Sequence, residues 1–541
     1  MSSNPNGTPQ DIVLDAVIIG AGFAGLYSVH SLRDKLGLRV KAFEAGGDVG
    51  GTWYWNRYPG ARCDIESHHY SYSFSEELQQ EWRWTERFPA QPEILAYLNH
   101  VADRFDLRRD IELNTRITTA EFDESACQWV MTTDDGRTIR ARYFVSGAGV
   151  LSEPSLPDIK GIDDFSGEVY LTAKWPQQEV DFTGKRVGVI GTGASGIQVI
   201  TEIAKQAEQL TVFQRTPNYA APIRNEPMDD ETDRQIKAHY AEIRRDSRNS
   251  FLGIPYPDVL PSAVAVSAEK RREVYENAYA QGGFLMFAGT FADLINNKES
   301  NDTAAEFLRE KIRQRVNDSA VAEMLTPKNY AYATKRPPLE TDYYETYNRD
   351  NVTLVDIKAT PIDQITADQI RTTAADYDLD VIVFATGFDA MTGPLLKLNP
   401  VGGNGVRLAE RWADGPHTYL GLTVQGLPNF FAITGPQSPA VLYNMPLAIE
   451  DHVDWITDCI GYLNEHNLQR IEPTAKAEDE WVKHTADIAA DTLFGETDSW
   501  YMGANIPGKP RVFLVYVGGA AQYRQICAEV AEKDYKGFAL S

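Results

Sequence analysis

The chain has 541 residues, 43% of them hydrophobic and 24% charged, and a formal net charge of −25. That length and balance describe a folded protein of two or three domains, and the acidic surface argues against nucleic acid or an anionic membrane as a partner. The four cysteines, Cys63, Cys127, Cys459 and Cys527, form neither a CxxC pair nor a metal-ligand cluster, so free thiols in a reducing, cytoplasmic setting with no metal site are expected.

Residues 1–11 read as a disordered tail, and their lack of a basic residue does not fit a secretory signal. Residues 12–19 (IVLDAVII) read as a short buried strand. Gly20, Gly22 and Gly25 follow, with Phe23 and Ala24 between them, and a helix is expected after Gly25. Residues 39–45 (RVKAFEA) supply a second strand that carries Glu44. Glycines in this pattern allow a tight turn that brings a pyrophosphate against a helix N-terminus. A carboxylate 19 residues after the third glycine suits a ribose hydroxyl. These residues form the first expected dinucleotide site, for FAD.

The run GGTWYWNRYPGARCD, residues 50–64, fits neither the helical nor the strand period. Trp53, Trp55 and Tyr58 are compatible with core packing. Arg62 and Asp64 are less so, and their place after the Glu44 strand puts them beside the flavin ring. Short strands are expected within 103–118 and 129–148, and Pro154 and Pro157 mark a boundary.

A second glycine set, Gly191-Thr192-Gly193-Ala194-Ser195-Gly196, begins 171 residues after the first. It lies between expected strands at 186–190 and 210–214, in a unit that starts near Phe182. Where the first unit has Glu44, the second has Arg215, followed by Thr216. An arginine can grip a 2′-phosphate through two parallel hydrogen bonds, so this site is expected to take NADPH.

Residues 225–332 are polar and rich in helix formers, and read as a helical insertion over the nicotinamide side. Strands return at 352–357 and 380–390, and the remainder is expected to rejoin the first unit. The fold class is therefore α/β, with two Rossmann-like dinucleotide-binding domains. The FAD domain is expected to comprise 1–150 and 391–541, the NADPH domain 151–224 and 333–390, and the insertion 225–332.

The pattern Gly51-x-Trp53 … Tyr58-Pro59-Gly60 … Asp64 resembles one of the two fingerprints of the type I Baeyer–Villiger monooxygenases. The run from Phe165 and Gly167 through Trp175-Pro176 resembles the other, except that Leu171 stands where the family has histidine. Residues 428–436, 499–513 and 536–540 resemble the phenylacetone and steroid monooxygenase branch. The resemblance implies FAD and NADPH as cofactors, and oxidation of a ketone by O2 to an ester or lactone through a C4a-peroxyflavin. It implies Arg336 as the active-site cation, which suits arginine because the guanidinium stays protonated beside an anion. Asp64 is implied as its partner and as a contact to both cofactors. Lys335 is implied as a second cation for the 2′-phosphate, and Trp500 as an NADP contact on a mobile loop. Gly51, Thr52, Trp53, Tyr70, Ile117 and Met445 join the FAD side, and Arg62 and Gln198 the NADP side.

The resemblance also implies that residues 437–445 govern substrate choice, with Tyr443 expected to narrow the pocket. Leu171 can neither hydrogen-bond nor titrate, so leaky oxygenation is expected, with Tyr170 a candidate substitute hydroxyl. Two other readings stay open: a flavin monooxygenase that oxidises nitrogen or sulfur, and an uncoupled NADPH oxidase or flavoprotein sensor. A monomer or weak oligomer is expected.

Overall fold

In strand β1 (Ile12–Ile19), Ala16, Val17 and Ile18 are fully buried, as a central parallel strand covered on both faces requires. The computed structural model describes residues 11–256 and 259–541; residues 1–10 of the expected tail lie outside the described residues. The first sheet adds β2 (Val40–Phe43), β3 (Ile111–Glu112), β4 (Ile117–Asp123), β5 (Gln128–Thr133) and β6 (Thr138–Ser146). β1 lies between β2 and β6 and is parallel to both, and β3 extends the sheet beyond β2. The long strand β6 has two partners along its other edge. Its first half pairs antiparallel with β5, and residues 144–146 pair in parallel with the distant strand Phe430–Ala432. The chain thus returns to this sheet near its C-terminal end.

The second sheet is wholly parallel. It contains β7 (Glu168–Leu171), β8 (Arg186–Ile190) and β9 (Gln209–Gln214), together with strands Val352–Asp356 and Val381–Phe384. β8 lies between β9 and Val381–Phe384, and β7 forms an edge. The sheet therefore takes an edge strand from before Phe182, where the strand–turn–helix pattern was expected to begin, but within the stretch from 151 expected for this domain.

Two helical details differ from expectation. The first dinucleotide helix runs Phe23–His30, so Gly25 lies inside it rather than ahead of it. A side chain on Gly25 would overlap the Gly20 carbonyl, and that close approach lets the helix start against the turn. Residues 103–118 do not hold only strands, because Asp103 belongs to the helix Gln91–Arg104. That helix buries Ile94, Tyr97, Leu98 and Val101, the i, i+3, i+4, i+7 stripe of an amphipathic helix.

Helices including Asp230–Ala238, Tyr240–Asn249, Ala268–Gln281 and Lys298–Arg315 occupy the stretch between the strands Ala221–Pro222 and Leu339–Glu340. Those two short strands pair in parallel, so the chain leaves and re-enters at one point. Part of the helical segment is anchored on the first unit. Buried Arg244 donates to Gln79 Oε1, Ser71 Oγ and the carbonyls of His69 and Tyr72, and Asn444 N donates to the Leu252 carbonyl at 2.9 Å.

Candidate active site

The first glycine turn sits at the N-terminus of Phe23–His30, whose N-cap Gly22 has no side chain to satisfy the first amides. Gly22 and Gly51 pass so close that a Cβ on Gly51 would lie 2.9 Å from the Gly22 Cα. Glu44 is buried, and its carboxylate accepts from Ala21 N at 2.9 Å and Gly46 N at 2.7 Å. The acid is thereby fixed at the end of β2 beside the turn. The second turn repeats the plan, with N-cap Gly193 before the helix Ala194–Ile203. A Cβ on Gly193 would meet nothing within 4 Å, so its helix N-terminus opens onto a cradle. Bare helix N-termini backed by glycines have the shape and polarity for two pyrophosphates, and the residues present fit the two expected dinucleotides.

Beyond the second turn the charges are positive. Arg215 is exposed at the end of β9, and Lys335 is half-buried. The Lys335 ammonium is held below its ordinary pKa, first by burial and then by the positive charge of Arg215. Exposed Lys358 adds to the same effect and was missing from the sequence reading. Cations gathered this closely repel one another until an anion joins them, which suits a phosphate. Lys335 also donates to the Asp498 carbonyl at 2.6 Å, and Thr334 shares a 2.7 Å hydroxyl bond with Thr497. The loop bearing Trp500 is thus pinned against the cation cluster, and the Trp500 ring lies 4.2 Å from that of Tyr501.

The irregular run 50–64 joins the two units. Tyr58 donates to Gln198 Oε1 at 2.9 Å, and Gln198 Nε2 donates to the Arg62 carbonyl at 3.1 Å. Trp175 N donates to the Trp55 carbonyl at 3.2 Å. Tyr58, Ala61 and Trp175 share a core cluster with Val187, Val189 and Ile197 of the second unit. Both motif segments therefore meet at the seam between the sheets.

The run ends at Asp64, where Arg336 arrives from the far side of the second unit. Arg336 Nε and Nη2 both donate to Asp64 Oδ2, at 3.2 and 2.9 Å, and Nη1 donates to the Val441 carbonyl at 2.8 Å. The guanidinium lies 4.6 Å from the centre of the Phe284 ring. Burial works against its charge, but Asp64, together with Tyr501 and Cys63, more than offsets burial and holds its pKa above the ordinary value. A fixed, protonated cation here can stabilise negative charge that develops on a reacting oxygen.

The remaining expected residues divide. Trp53 Nε1 donates to Tyr70 Oη at 3.2 Å, and Phe23 meets Tyr70 edge-on at 5.4 Å, so these three gather beside the first turn. Thr52 opens the short helix Thr52–Trp55, and Met445 opens Met445–Glu465. Thr192 Oγ1 donates to the Thr216 carbonyl at 3.0 Å, tying the second turn to the end of β9. Ala194, Ser195 and Gly196 form the first turn of their helix. Ile117, by contrast, packs in the core with Val17, Phe43 and Phe144. The Arg62 side chain is turned to Glu86 and the Phe88 carbonyl, so only its backbone carbonyl reaches Gln198.

Two further expected residues are placed as follows. Tyr443 is buried against Leu447, Ala448 and Ala520, and donates to Asp451 Oδ2 at 2.6 Å. Tyr170 does not substitute for a hydroxyl at position 171. Successive strand residues face opposite ways; Tyr170 packs on Trp175 at 5.2 Å, while Leu171 joins the apolar cluster of Ile190, Ile382 and Phe384.

Phe284 and Tyr501 also adjoin the site and were not foreseen as site residues. The doublet Gly282-Gly283 before Phe284 was the available signal, since paired glycines after a helical run mark a sharp redirection of the chain.

Two glycine-turn sites, one beside an acid and one beside cations, with an arginine–aspartate pair at their seam, define a flavoprotein monooxygenase that uses two dinucleotides. A family profile described as FMO-like, flavin-binding monooxygenase-like, matches residues 15–222. A Baeyer–Villiger monooxygenase of Pseudooceanicola batsensis is 46% identical over 523 residues, spanning 96% of this chain and 95% of the relative. The structure of an oxidized steroid monooxygenase bound to NADP is 54% identical, with a TM-score of 0.93 over 98% of this chain and 99% of that one. The structure of OTEMO in complex with FAD and NADP is 43% identical, with a TM-score of 0.95 over 98% and 100% of the two chains. The chain belongs to the Baeyer–Villiger monooxygenase family.

Proposed function

We propose that this protein uses NADPH and O2 to convert a ketone to an ester or lactone, with water and NADP+ as the other products. The observation that carries the reading is the Asp64–Arg336 pair at the seam, at the end of the motif run 50–64. FAD belongs at the Gly20–Gly25 turn with Glu44, and NADPH at the Gly191–Gly196 turn with Arg215, Thr216 and Lys335. When bound, the nicotinamide supplies a hydride and the flavin passes oxygen from O2 to the ketone.

The protein's own contribution is placement and charge. Asp64 orients the Arg336 guanidinium, which stays protonated, and among the described residues Oδ1 is left for another donor such as a carboxamide. Arg336 offsets negative charge that builds on the ketone oxygen as the carbonyl is attacked. The helix N-termini at Gly22 and Gly193 hold the pyrophosphates, while Arg215, Lys335 and Lys358 hold the extra phosphate that marks NADPH. The two-part division of each dinucleotide domain, with 225–332 inserted in the second, is supported by strand Phe430–Ala432 joining β6 and strand Val381–Phe384 joining β8.

Among the described residues, no helix is long and apolar enough to cross a membrane. A cytoplasmic monomer or weak oligomer fits the net charge of −25 and the free thiols.

The test is direct. Purified flavin-loaded protein is mixed with NADPH, O2 and ketones graded from small aliphatic to steroid-sized, and esters are sought by gas or liquid chromatography. Ester from at least one ketone is expected. Rapid hydrogen peroxide with no ester from any ketone would overturn the reading in favour of an uncoupled oxidase.

A further inference from the structure

We infer that Phe284 is a positioning residue for Arg336, and that the bend Gly282-Gly283 exists to deliver its ring. The inference rests on the reading of Arg336 as the cation at the reacting centre. Four groups surround the guanidinium: Asp64, the Val441 carbonyl, the nearby Tyr501 hydroxyl and the face of Phe284. The first two use its N–H groups. Phe284 attracts the charge through its π face and takes no hydrogen bond. A second carboxylate in its place would also hold the arginine, but it would cancel the positive field that the chemistry uses. An aromatic face holds a cation and leaves its charge intact.

The backbone is built for this placement. The helix Ala268–Gln281 stops at Gln281, and the next two residues have φ of +75° and +63°, a region that strains any residue with a Cβ. A Cβ on Gly282 would run into the Arg224 side chain and lie 2.8 Å from the Ile223 carbonyl. Gly283 N donates to the Pro222 carbonyl at 3.1 Å, on the chain leading out of the second unit. Arg87, from the first unit, donates to the Gln281 carbonyl at 3.1 Å and to Glu66 Oε1 at 3.2 Å. Glu66 is two residues from Asp64. The same stretch of the first unit therefore supplies the carboxylate on Arg336 and clamps the bend that carries Phe284. Phe284 itself is only 6% exposed, which leaves its ring little freedom to leave the guanidinium.

The experiment compares the holoenzyme with Phe284→Leu and Phe284→Tyr. In protein labelled with nitrogen-isotope arginine, the Arg336 Nε–H resonance, assigned by its loss in Arg336→Lys, is expected to be displaced by the ring current. The displacement should persist in Phe284→Tyr and vanish in Phe284→Leu. Ester formation at saturating ketone should fall about tenfold in Phe284→Leu and less than about threefold in Phe284→Tyr. Melting temperature and NADP+ affinity should change little in either variant.

An undisplaced resonance in the wild type overturns the inference, and so does an equal loss of rate in both variants, which would mark Phe284 as packing alone. Arg336→Ala separates the two claims. If that variant loses activity while Phe284→Leu keeps the wild-type rate, only the positioning inference falls. If Arg336→Ala keeps the wild-type rate, the underlying reading falls and this inference falls with it.

Discussion

Asp64 and Arg336 are 272 residues apart in the chain and meet through a single carboxylate oxygen, Oδ2, which accepts from both Nε and Nη2. The pairing occurs only because the run 50–64 leaves the first unit and locks onto the second through Tyr58, Gln198 and Trp55. Asp64→Ala leaves a half-buried guanidinium with the Val441 carbonyl, the Tyr501 hydroxyl and the Phe284 ring as its neighbours. We expect Asp64→Ala to lower ester formation by about a hundredfold. NADP+ binding should weaken with it, as read by steady-state rates and by titration of the oxidised holoenzyme. A variant with wild-type rates would show that Arg336 needs no partner.

Lys335 gives a pH dependence with a definite sign. In the protein without nucleotide, burial and Arg215 hold its pKa below the ordinary lysine value. A bound phosphate dianion favours the ammonium and raises it again. Binding of NADP+ should therefore take up a proton at Lys335, and affinity should fall as pH rises through the lowered pKa. Calorimetric titrations in two buffers of different ionisation enthalpy measure the uptake. Lys335→Met should bind more weakly and lose the alkaline decline; an unchanged decline would assign it to another group.

Tyr443 should act on stability rather than on substrate choice. Its hydroxyl is bonded to Asp451, which Arg524 also holds at 3.1 Å, and its ring covers Gly253. Tyr443→Phe should cost about 1–2 kcal/mol in denaturant unfolding, because a buried carboxylate loses a donor. The preference among ketones should stay the same. A changed preference at unchanged stability would restore the pocket role expected from the sequence.

Leu171 is expected to leave the reaction leaky. The side chain sits in an apolar cluster under the second sheet, so no hydrogen bond at this position links the two units. The ratio of ester formed to NADPH consumed should fall clearly below one, with hydrogen peroxide making up the difference. Tight one-to-one coupling would show that the family's histidine position is not needed here. Leu171→His would place a polar ring among Ile190, Ile382 and Phe384, so its melting temperature should also fall.

The sequence was most informative where spacing is imposed by a single local object. The two glycine turns, β1 and β8 were legible because a dinucleotide turn fixes strand, glycine and helix within a few residues. Arg336, Asp64 and their pairing were legible through resemblance, but the way the run 50–64 crosses the seam to bring them together was not, because it depends on contacts such as Tyr58 with Gln198. Helix Gln91–Arg104 was not anticipated although its apolar stripe is regular, and its last two residues overlap the stretch expected as strands. The side chains of Arg62 and Tyr443 are each bonded to a carboxylate, Glu86 and Asp451, a local pairing that no spacing in the sequence signals. Phe284 was hidden because the role inferred for it comes from a bend between helices that read only as an insertion over the nicotinamide side.

The most direct test of the two-unit site uses isotopically labelled O2, with wild type and Arg336→Ala compared on the best ketone. The wild type should give ester carrying one labelled oxygen, and Arg336→Ala should form it about 100- to 1000-fold more slowly. Flavin content and NADP+ retention should remain measurable in the variant. Ester without label, or labelled ester formed at the wild-type rate by Arg336→Ala, would contradict the proposed function.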